Sequence, residues 1–203
     1  MIQIVASACG KKYRGKWVFR NLGFTIEAGG RYAITGKNGS GKSTLINILA
    51  GYIKPSEGTV HWKHNQATIL SETLFKHVFV TAPYIEPIEE FTFSELIQFQ
   101  RRFKHFTGSL STAEIIKIAN LEESREKPLR FYSSGMKQRA MLTLALLSES
   151  MLLLLDEPCV NLDRETRSWY AELLNRFGKD KTLVIASNHN EEEYPGVDSV
   201  ISL

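Results

Sequence analysis

Short runs of apolar, often β-branched residues alternate with helical patterns along this chain. Such runs occupy residues 3–5, 31–35, 78–80, 152–155 and 183–186, and each is bounded by loop residues. Because most of them are continuously apolar, they predict strands buried on both faces, as in a parallel sheet covered by helices. The patterns of residues 25–30 and 58–62 instead predict half-exposed strands with turns. They predict a small antiparallel sheet beside the parallel one.

The middle of the chain predicts helices. Thr92-x-x-Glu95 and Ser111-x-x-Glu114 each fit the reciprocal capping box of a helix start, and an apolar pattern follows both. Residues 92–147 are therefore predicted to form a helical subdomain, and its last helix is predicted to begin within residues 133–135. The rest of the core is assigned to residues 1–91 and 148–203.

Composition narrows the class of protein only a little. A chain of 203 residues with 43% hydrophobic content fits one folding unit, and a formal net charge of +3 is too mild to indicate a nucleic-acid partner. No apolar run approaches the roughly 20 residues that cross a bilayer, and the amino terminus lacks the order of a signal peptide. We therefore expect a cytoplasmic chain without its own membrane span. Cys9 and Cys159 lack metal-like spacing and are expected to be reduced and incidental.

Residues 36–44 have a phosphate-loop pattern, Gly36-Lys37-Asn38-Gly39-Ser40-Gly41-Lys42-Ser43-Thr44. This pattern follows the strand that ends at Thr35 and precedes a helix predicted over residues 44–50. Glycines allow backbone amides to turn toward phosphates, and the helix start adds positive potential. Lys42 is expected to reach the terminal phosphates, and Ser43 to ligate Mg²⁺.

An acidic pair ends the most hydrophobic strand. Asp156 and Glu157 follow four leucines, so they are expected at the carboxyl edge of the sheet, where ligands bind. Asp156 is expected to be the acid beside Mg²⁺. Glu157 is the candidate base that takes a proton from the water opposite the γ-phosphate. His189 follows another strand that ends at the same edge and is a candidate for a hydrogen bond to the γ-phosphate. Tyr13 either stacks on a base or simply packs, and stacking is the preferred interpretation.

A second candidate anion site lies at Ser133 and Gly135, at a predicted helix start. Taken alone, this segment is an ordinary serine cap. Two anion-binding helix starts are more than one nucleotide needs from one subunit, however, which predicts that the second serves a neighbouring copy.

This ordered set of motifs resembles the ATP-binding cassette ATPases, the nucleotide-binding subunits of ABC transporters, across essentially the whole chain. The resemblance implies an α/β fold, with a P-loop NTPase core, an antiparallel β subdomain and a helical insert. It implies that Tyr13 stacks on adenine, that residues 152–157 form the Walker B strand, and that His189 is the switch histidine. It also implies that Asn161-Leu162-Asp163 is the D-loop and Tyr132-Ser133-Ser134-Gly135-Met136 the signature. Two copies would pair head to tail, with ATP and Mg²⁺ between one phosphate loop and the opposite Ser133 and Gly135.

Two departures from the family pattern affect the expected mechanism. The signature usually reads Leu-Ser-Gly-Gly-Gln, but its serine and second glycine are retained here as Ser133 and Gly135, so activity is expected to survive. Counting back from Thr92 places Pro83 where the family has its Q-loop glutamine. Proline offers no side-chain amide, so hydrolysis is expected to be slow, or Thr81 or Glu86 to substitute.

The resemblance also implies a partner. Seven of the 11 phenylalanines fall between Phe75 and Phe106. The set Phe99, Phe103 and Phe106 has helical spacing and is assigned to the core, whereas Tyr84, Phe91 and Phe93 are expected on a surface that receives a separate membrane-spanning permease. The basic residues 101–105 are interpreted as a solvated helix face rather than a nucleic-acid surface. The alternative function is a soluble ATPase or ATP clamp acting on a non-membrane partner.

Overall fold

The computed structural model describes residues 1–188 and 193–203. Its strands in chain order are β1 (Gln3–Tyr13), β2 (Lys16–Ile26), β3 (Arg31–Thr35), β4 (Glu57–His64), β5 (Ala67–Ile69), β6 (Val78–Thr81), β7 (Leu152–Asp156), β8 (Thr182–Ser187) and β9 (Ser199–Ser202). Within the described ranges they form two sheets. One has the order β2-β1-β4-β5 and the other the order β6-β7-β8-β3-β9.

The second sheet is parallel at every strand pair. Strands β6, β7 and β8 are buried at every residue, which explains why their sequences are continuously apolar. The first sheet is antiparallel throughout and partly exposed, and a turn at residues 14–15 joins β1 to β2. The predicted fold class, with both kinds of sheet, is confirmed.

The helices are α1 (Lys42–Leu49), α2 (Ser71–Leu74), α3 (Phe93–Arg101), α4 (Thr112–Ile118), α5 (Ser134–Leu147) and α6 (Arg164–Phe177). Both predicted capping boxes are present, with Thr92 capping α3 and Ser111 capping α4. Helix α5 begins where the sequence predicted. Helix α1 begins two residues before its predicted start, so Lys42 lies in its first turn.

Two hydrophobic clusters meet at the parallel sheet. Leu152 and Leu154 of β7 face a cluster with α1 and the antiparallel sheet, whereas Leu153 and Leu155 face a cluster with α3, α4, α5 and α6. Strand β8 alternates in the same way. The two-residue period of a strand therefore makes β7 and β8 the common wall of both clusters.

The aromatic stretch differs from its prediction in two respects. Phe93, expected on the surface, is fully buried, because as the first residue of α3 it points into the helical cluster. Phe103, expected in the core, is 65% exposed, because α3 ends at Arg101 and its helical spacing does not continue.

The basic residues 101–105 likewise do not form one helix face. Arg101 is the last residue of α3, and its guanidinium lies 5.6 Å from the ring centre of Phe106. The Lys104 ammonium donates a hydrogen bond to the Phe75 carbonyl at 2.6 Å. These cations are therefore used in local contacts at the end of α3.

Among residues 1–188 and 193–203, no helix combines the length and apolar character needed to span a bilayer.

The burial of Phe93 yields a stability prediction. Phe93→Ala should lower the free energy of unfolding by about 3–5 kcal/mol, because it removes a fully buried ring and leaves a cavity. Urea unfolding followed by circular dichroism measures this quantity. Phe103→Ala is the matched control and should cost less than about 1 kcal/mol, since its ring is largely exposed. Equal losses for the two variants would contradict this assignment of the core.

Candidate functional site

The phosphate loop connects the carboxyl end of β3 to α1. Gly41 caps α1 in the left-handed region, with φ of 107°, and no side chain caps this helix start. The first amides of α1 are therefore available to an anion. A Cβ at Gly41 would lie 2.5 Å from Cγ1 of Val18, so both the backbone angle and the contact with β2 require glycine here.

Lys42 extends along the inside of this loop and is only 5% exposed. Its ammonium donates to the carbonyls of Gly36 at 3.0 Å and Lys37 at 3.3 Å, and to Oδ1 of Asn188. The loop thus supplies neutral oxygen partners to a buried cation. Phosphate oxygens could replace these partners with charge-assisted hydrogen bonds, which are stronger.

Asp156 ends β7 beside Ala186 of β8 and is 1% exposed. Neither carboxylate oxygen has a hydrogen-bond partner among the described residues. Burial raises the pKa of Asp156, while the nearby Ser43 and Tyr84 hydroxyls partly offset this effect without reaching hydrogen-bond geometry. A buried, unpaired carboxylate of this kind fits a divalent cation, for which carboxylate and hydroxyl oxygens are suitable ligands.

The described residues hold no group of three or more His, Cys, Asp or Glu side chains that could bind a metal by themselves. Ser43 and Asp156 would therefore contribute only part of a coordination shell. Mg²⁺ is commonly held in this way, by one or two protein ligands together with substrate phosphates and water.

Glu157 turns away from β7 with a φ of 46°, and its amide still donates to the Ala186 carbonyl at 2.8 Å. A non-glycine residue in this region carries strain of about 1–3 kcal/mol, which the surrounding contacts must hold. The Glu157 carboxylate accepts a hydrogen bond from Nδ2 of Asn188 at 2.7 Å. Glu157 is thus held at the carboxyl edge of the sheet, facing the phosphate loop.

Asn188 is a site residue that the sequence analysis missed. Its amide oxygen accepts from Lys42 and its amide nitrogen donates to Glu157, so one side chain bridges the phosphate-loop cation and the acidic pair. A polar residue directly after β8, at the same sheet edge as Asp156, was the signal that could have indicated it. The neighbouring candidate, His189, lies outside the described residues.

An open cleft of about 490 Å³ lies over the phosphate loop and is lined by Tyr13, Val18, Asn38, Gly39, Gly41, Lys42, Ser43, Thr44 and Glu157. Tyr13 stands at its rim with half of its surface exposed, and the Lys11 ammonium lies 5.2 Å from its ring centre. An exposed ring at this position is available for stacking on a planar ligand.

The second candidate anion site is at the start of α5. Ser133 is the N-cap, and its hydroxyl oxygen accepts from the Met136 amide at 3.2 Å. Neither Ser133 nor Gly135 is among the described residues of this chain that line the phosphate-loop cleft. The start of α5 contacts the segment after Glu157 instead, because Gln138 donates to the Pro158 carbonyl at 2.8 Å and Gly135 lies against Asn161.

The loop after β6 contains the expected departure from the family pattern. Pro83 is exposed, Thr81 is buried within the sheet, and Glu86 is exposed beside a separate cavity. The hydroxyl that faces Asp156 belongs to Tyr84. Burial and the charge of Asp156 raise the pKa of Tyr84 to about 12, so the phenol stays protonated at physiological pH.

Comparison with known proteins defines the class. Residues 19–160 match the family described as ABC transporter. The chain belongs to the ABC transporter family, as the ATP-binding cassette that its motifs resemble.

Two curated relatives show which members of the family this chain is similar to. The ABC transporter ATP-binding protein YcbN of Bacillus subtilis (strain 168), itself uncharacterised, is 30% identical over 182 residues, or 88% of this chain and 59% of the relative. The cytochrome c biogenesis ATP-binding export protein CcmA of Cupriavidus pinatubonensis is 28% identical, over 93% of this chain and 83% of the relative. This chain thus spans less than two thirds of the length of the first relative.

A solved structure confirms the architecture. A dimeric bacterial ABC transporter cassette superposes with a TM-score of 0.81 at 25% sequence identity, covering 98% of this chain and 94% of that one.

The buried carboxylate gives a prediction about pH and stability. The folded-state pKa of Asp156 is raised, so the folded protein binds the proton more tightly than the unfolded chain. The free energy of unfolding should therefore fall as pH rises above the ordinary aspartate range of about 4. Asp156→Asn should remove this loss and stabilise the ligand-free protein by roughly 1 kcal/mol at pH 8.

Urea unfolding at pH 5 and pH 8 measures the effect. Glu172→Gln, at an exposed position of α6, is the control and should change stability by less than about 0.5 kcal/mol. Destabilisation by Asp156→Asn at pH 8 would show that the carboxylate has a compensating partner.

Proposed function

We propose that this chain is the ATP-binding and ATP-hydrolysing subunit of an ABC transporter, and that it drives substrate through a separate membrane-spanning permease at the cytoplasmic face of the membrane. The observation that carries the proposal is that Lys42 and Glu157 line one cleft and are bridged by Asn188, while Asp156 ends β7 directly before Glu157 at the same edge of the parallel sheet. One side of this cleft fits phosphates and the other fits a divalent cation.

ATP binding follows from the loop geometry. The residues proposed to hold its phosphates are those of the phosphate loop, Gly36, Asn38, Gly39, Ser40, Gly41, Lys42, Ser43 and Thr44. The uncapped amides of α1 point into the cleft, and Lys42 exchanges its carbonyl partners for phosphate oxygens. Tyr13 at the rim stacks on adenine. Ser43 and Asp156 would hold Mg²⁺, which would supply charge neutralisation to the nucleotide phosphates.

Hydrolysis is assigned to Glu157. Its carboxylate orients the attacking water and accepts its proton, and the hydrogen bond from Asn188 fixes the carboxylate beside the Lys42 ammonium. Asn188 therefore acts as a positioning residue. His189 is proposed to contact the γ-phosphate, in keeping with its place after β8.

The second anion site supports pairing of two copies. Ser133 and Gly135 are exposed or half-exposed at the start of α5, away from the cleft of their own chain. Head-to-tail pairing presents them to the ATP of the other copy, so ATP stabilises the dimer and hydrolysis releases it. A homodimer, or pairing with a similar subunit, satisfies this arrangement.

The permease site is proposed on the surface around α3. A groove of about 240 Å³ lies there, lined by Phe91, Glu95, Gln98, Phe99 and Arg102. The rings of Tyr84 and Phe103 are also exposed, at 53% and 65%. An aromatic groove with a charged rim suits a short amphipathic helix of a membrane protein. Export is the preferred direction, since the Cupriavidus relative is named as an export protein.

Glu157→Gln tests the proposed base. The variant should bind ATP with unchanged affinity and lose at least about a hundredfold in phosphate release, because glutamine cannot accept the proton. It should also accumulate an ATP-bound dimer, detectable by light scattering after size exclusion. The exposed control Glu165→Gln should hydrolyse normally. Normal turnover by Glu157→Gln would assign the base to another residue.

Ser133→Arg tests the cross-subunit role. The larger, cationic side chain at an exposed N-cap should leave ATP binding to the monomer intact and prevent the ATP-dependent dimer, because it fills the surface that meets the other copy's phosphates. Equilibrium binding of a fluorescent ATP analogue and sedimentation velocity separate the two effects. Ser168→Arg, on the exposed side of α6, should alter neither. Loss of binding to the Ser133→Arg monomer would contradict the assignment.

A further inference from the structure

Tyr84 lies at the edge of the proposed metal site because of the sheet register. Strands β6 and β7 are parallel neighbours, and Thr81 pairs with Leu155, the residue before Asp156. A turn closed by the Ile85 amide and the Ala82 carbonyl at 3.0 Å then reverses the chain after β6. This turn presents the side chain of Tyr84 back toward the end of β7.

The Tyr84 hydroxyl is held from two directions. Nδ2 of Asn47 donates to it at 3.4 Å, and the buried Asp156 carboxylate is near enough for its charge to raise the pKa of the phenol, without a hydrogen bond between the two groups. Asn47 is four residues after Ser43 on α1, so both side chains project from the same face of that helix. Ser43, Asn47, Tyr84 and Asp156 therefore lie close to one another at the carboxyl edge of the sheet.

The rest of the loop offers no equivalent group. Pro83 has no side-chain donor. The buried hydroxyl of Thr81 has no partner among the described residues, but Thr81 pairs with Leu155 and so lies on the opposite face of the sheet from Asp156. Glu86 is exposed, carries the same charge as Asp156, and borders the cavity that also contains Lys137 and Gln138. Tyr84 supplies a neutral hydroxyl that can donate to the carboxylate while it accepts from Asn47.

We propose that Tyr84 is the positioning residue of the metal site, through which the loop after β6 senses bound nucleotide. Its hydroxyl donates to Asp156 and orients the carboxylate toward the cation when Mg²⁺ and ATP bind, in the place where the family resemblance would put a glutamine amide. This inference rests on the proposed function. The assignment also gives the loop a polar contact that Pro83 cannot provide.

The same side chain connects the site to the protein surface. Tyr84 is 53% exposed although its hydroxyl lies beside a buried carboxylate. The ring therefore presents one face outward while its tip contacts the site. A partner that packs on this ring would shift the hydroxyl relative to Asp156.

The test compares Tyr84→Phe, which removes only the hydroxyl, with Tyr84→Gln, which supplies an amide. Thermal unfolding is measured with a non-hydrolysable ATP analogue at fixed concentration while Mg²⁺, and separately Mn²⁺, is titrated. For Tyr84→Phe, the cation concentration giving half of the stabilisation should rise roughly tenfold, the effect of losing a hydrogen bond to a charged group. Unfolding without cation should be unchanged, and Tyr84→Gln should restore much of the cation dependence.

Tyr52→Phe is the matched control, since it removes the hydroxyl of another exposed tyrosine close to Tyr84, and its cation dependence should equal that of the wild type. A wild-type cation dependence in Tyr84→Phe would overturn the role of Tyr84 while leaving the proposed function intact. Absence of any cation-dependent stabilisation in the wild-type protein would overturn both.

Discussion

The Asp156 carboxylate is the group on which the geometry of the site depends. It is almost fully buried and without a hydrogen-bond partner among the described residues, and burial raises its pKa. Burying such a group costs free energy unless a ligand compensates it. The sheet order explains where that ligand must lie, because β7 is flanked by β6 and β8. The loop after β6 brings Tyr84, the residue after β8 is Asn188, and the next strand, β3, leads to Lys42.

The site is rigid because both clusters pack against the same two strands. Alternate residues of β7 and β8 belong to opposite clusters, so their carboxyl ends cannot shift without disturbing both. Helix α5 adds a further connection through Gln138 and Gly135, which contact the segment directly after Glu157. A second copy that bound to the start of α5 would therefore press on the segment that holds the proposed base. On the proposed function, this contact within the chain would couple dimerisation to catalysis directly.

The sequence predicted β6, β7 and β8 because these three strands are buried on both faces and hence continuously apolar. It did not predict β5 and β9, which are short and mostly exposed. It predicted α3, α4 and α5 because their caps are local, as in the pairs Thr92 with Glu95 and Ser111 with Glu114. It failed for Phe93 and Phe103, whose burial depends on where α3 begins and ends. It also missed Asn188, since its two hydrogen bonds join residues far apart in sequence. Local patterns determine elements, whereas side-chain partners arise only when the elements pack.

The loop after β6 also shows that a sequence pattern can locate an element without identifying the side chain that makes its contacts. Counting along the chain from Thr92 identified Pro83, because spacing compares positions without regard to the direction of their side chains. The turn between Ala82 and Ile85 instead determines which side chain returns to the sheet edge, and that side chain is Tyr84. A phenol combines donor and acceptor in one oxygen, so it can accept from Asn47 and donate to Asp156. Pro83 is compatible with this arrangement because its fixed φ suits a turn, and the polar contact has moved to its neighbour.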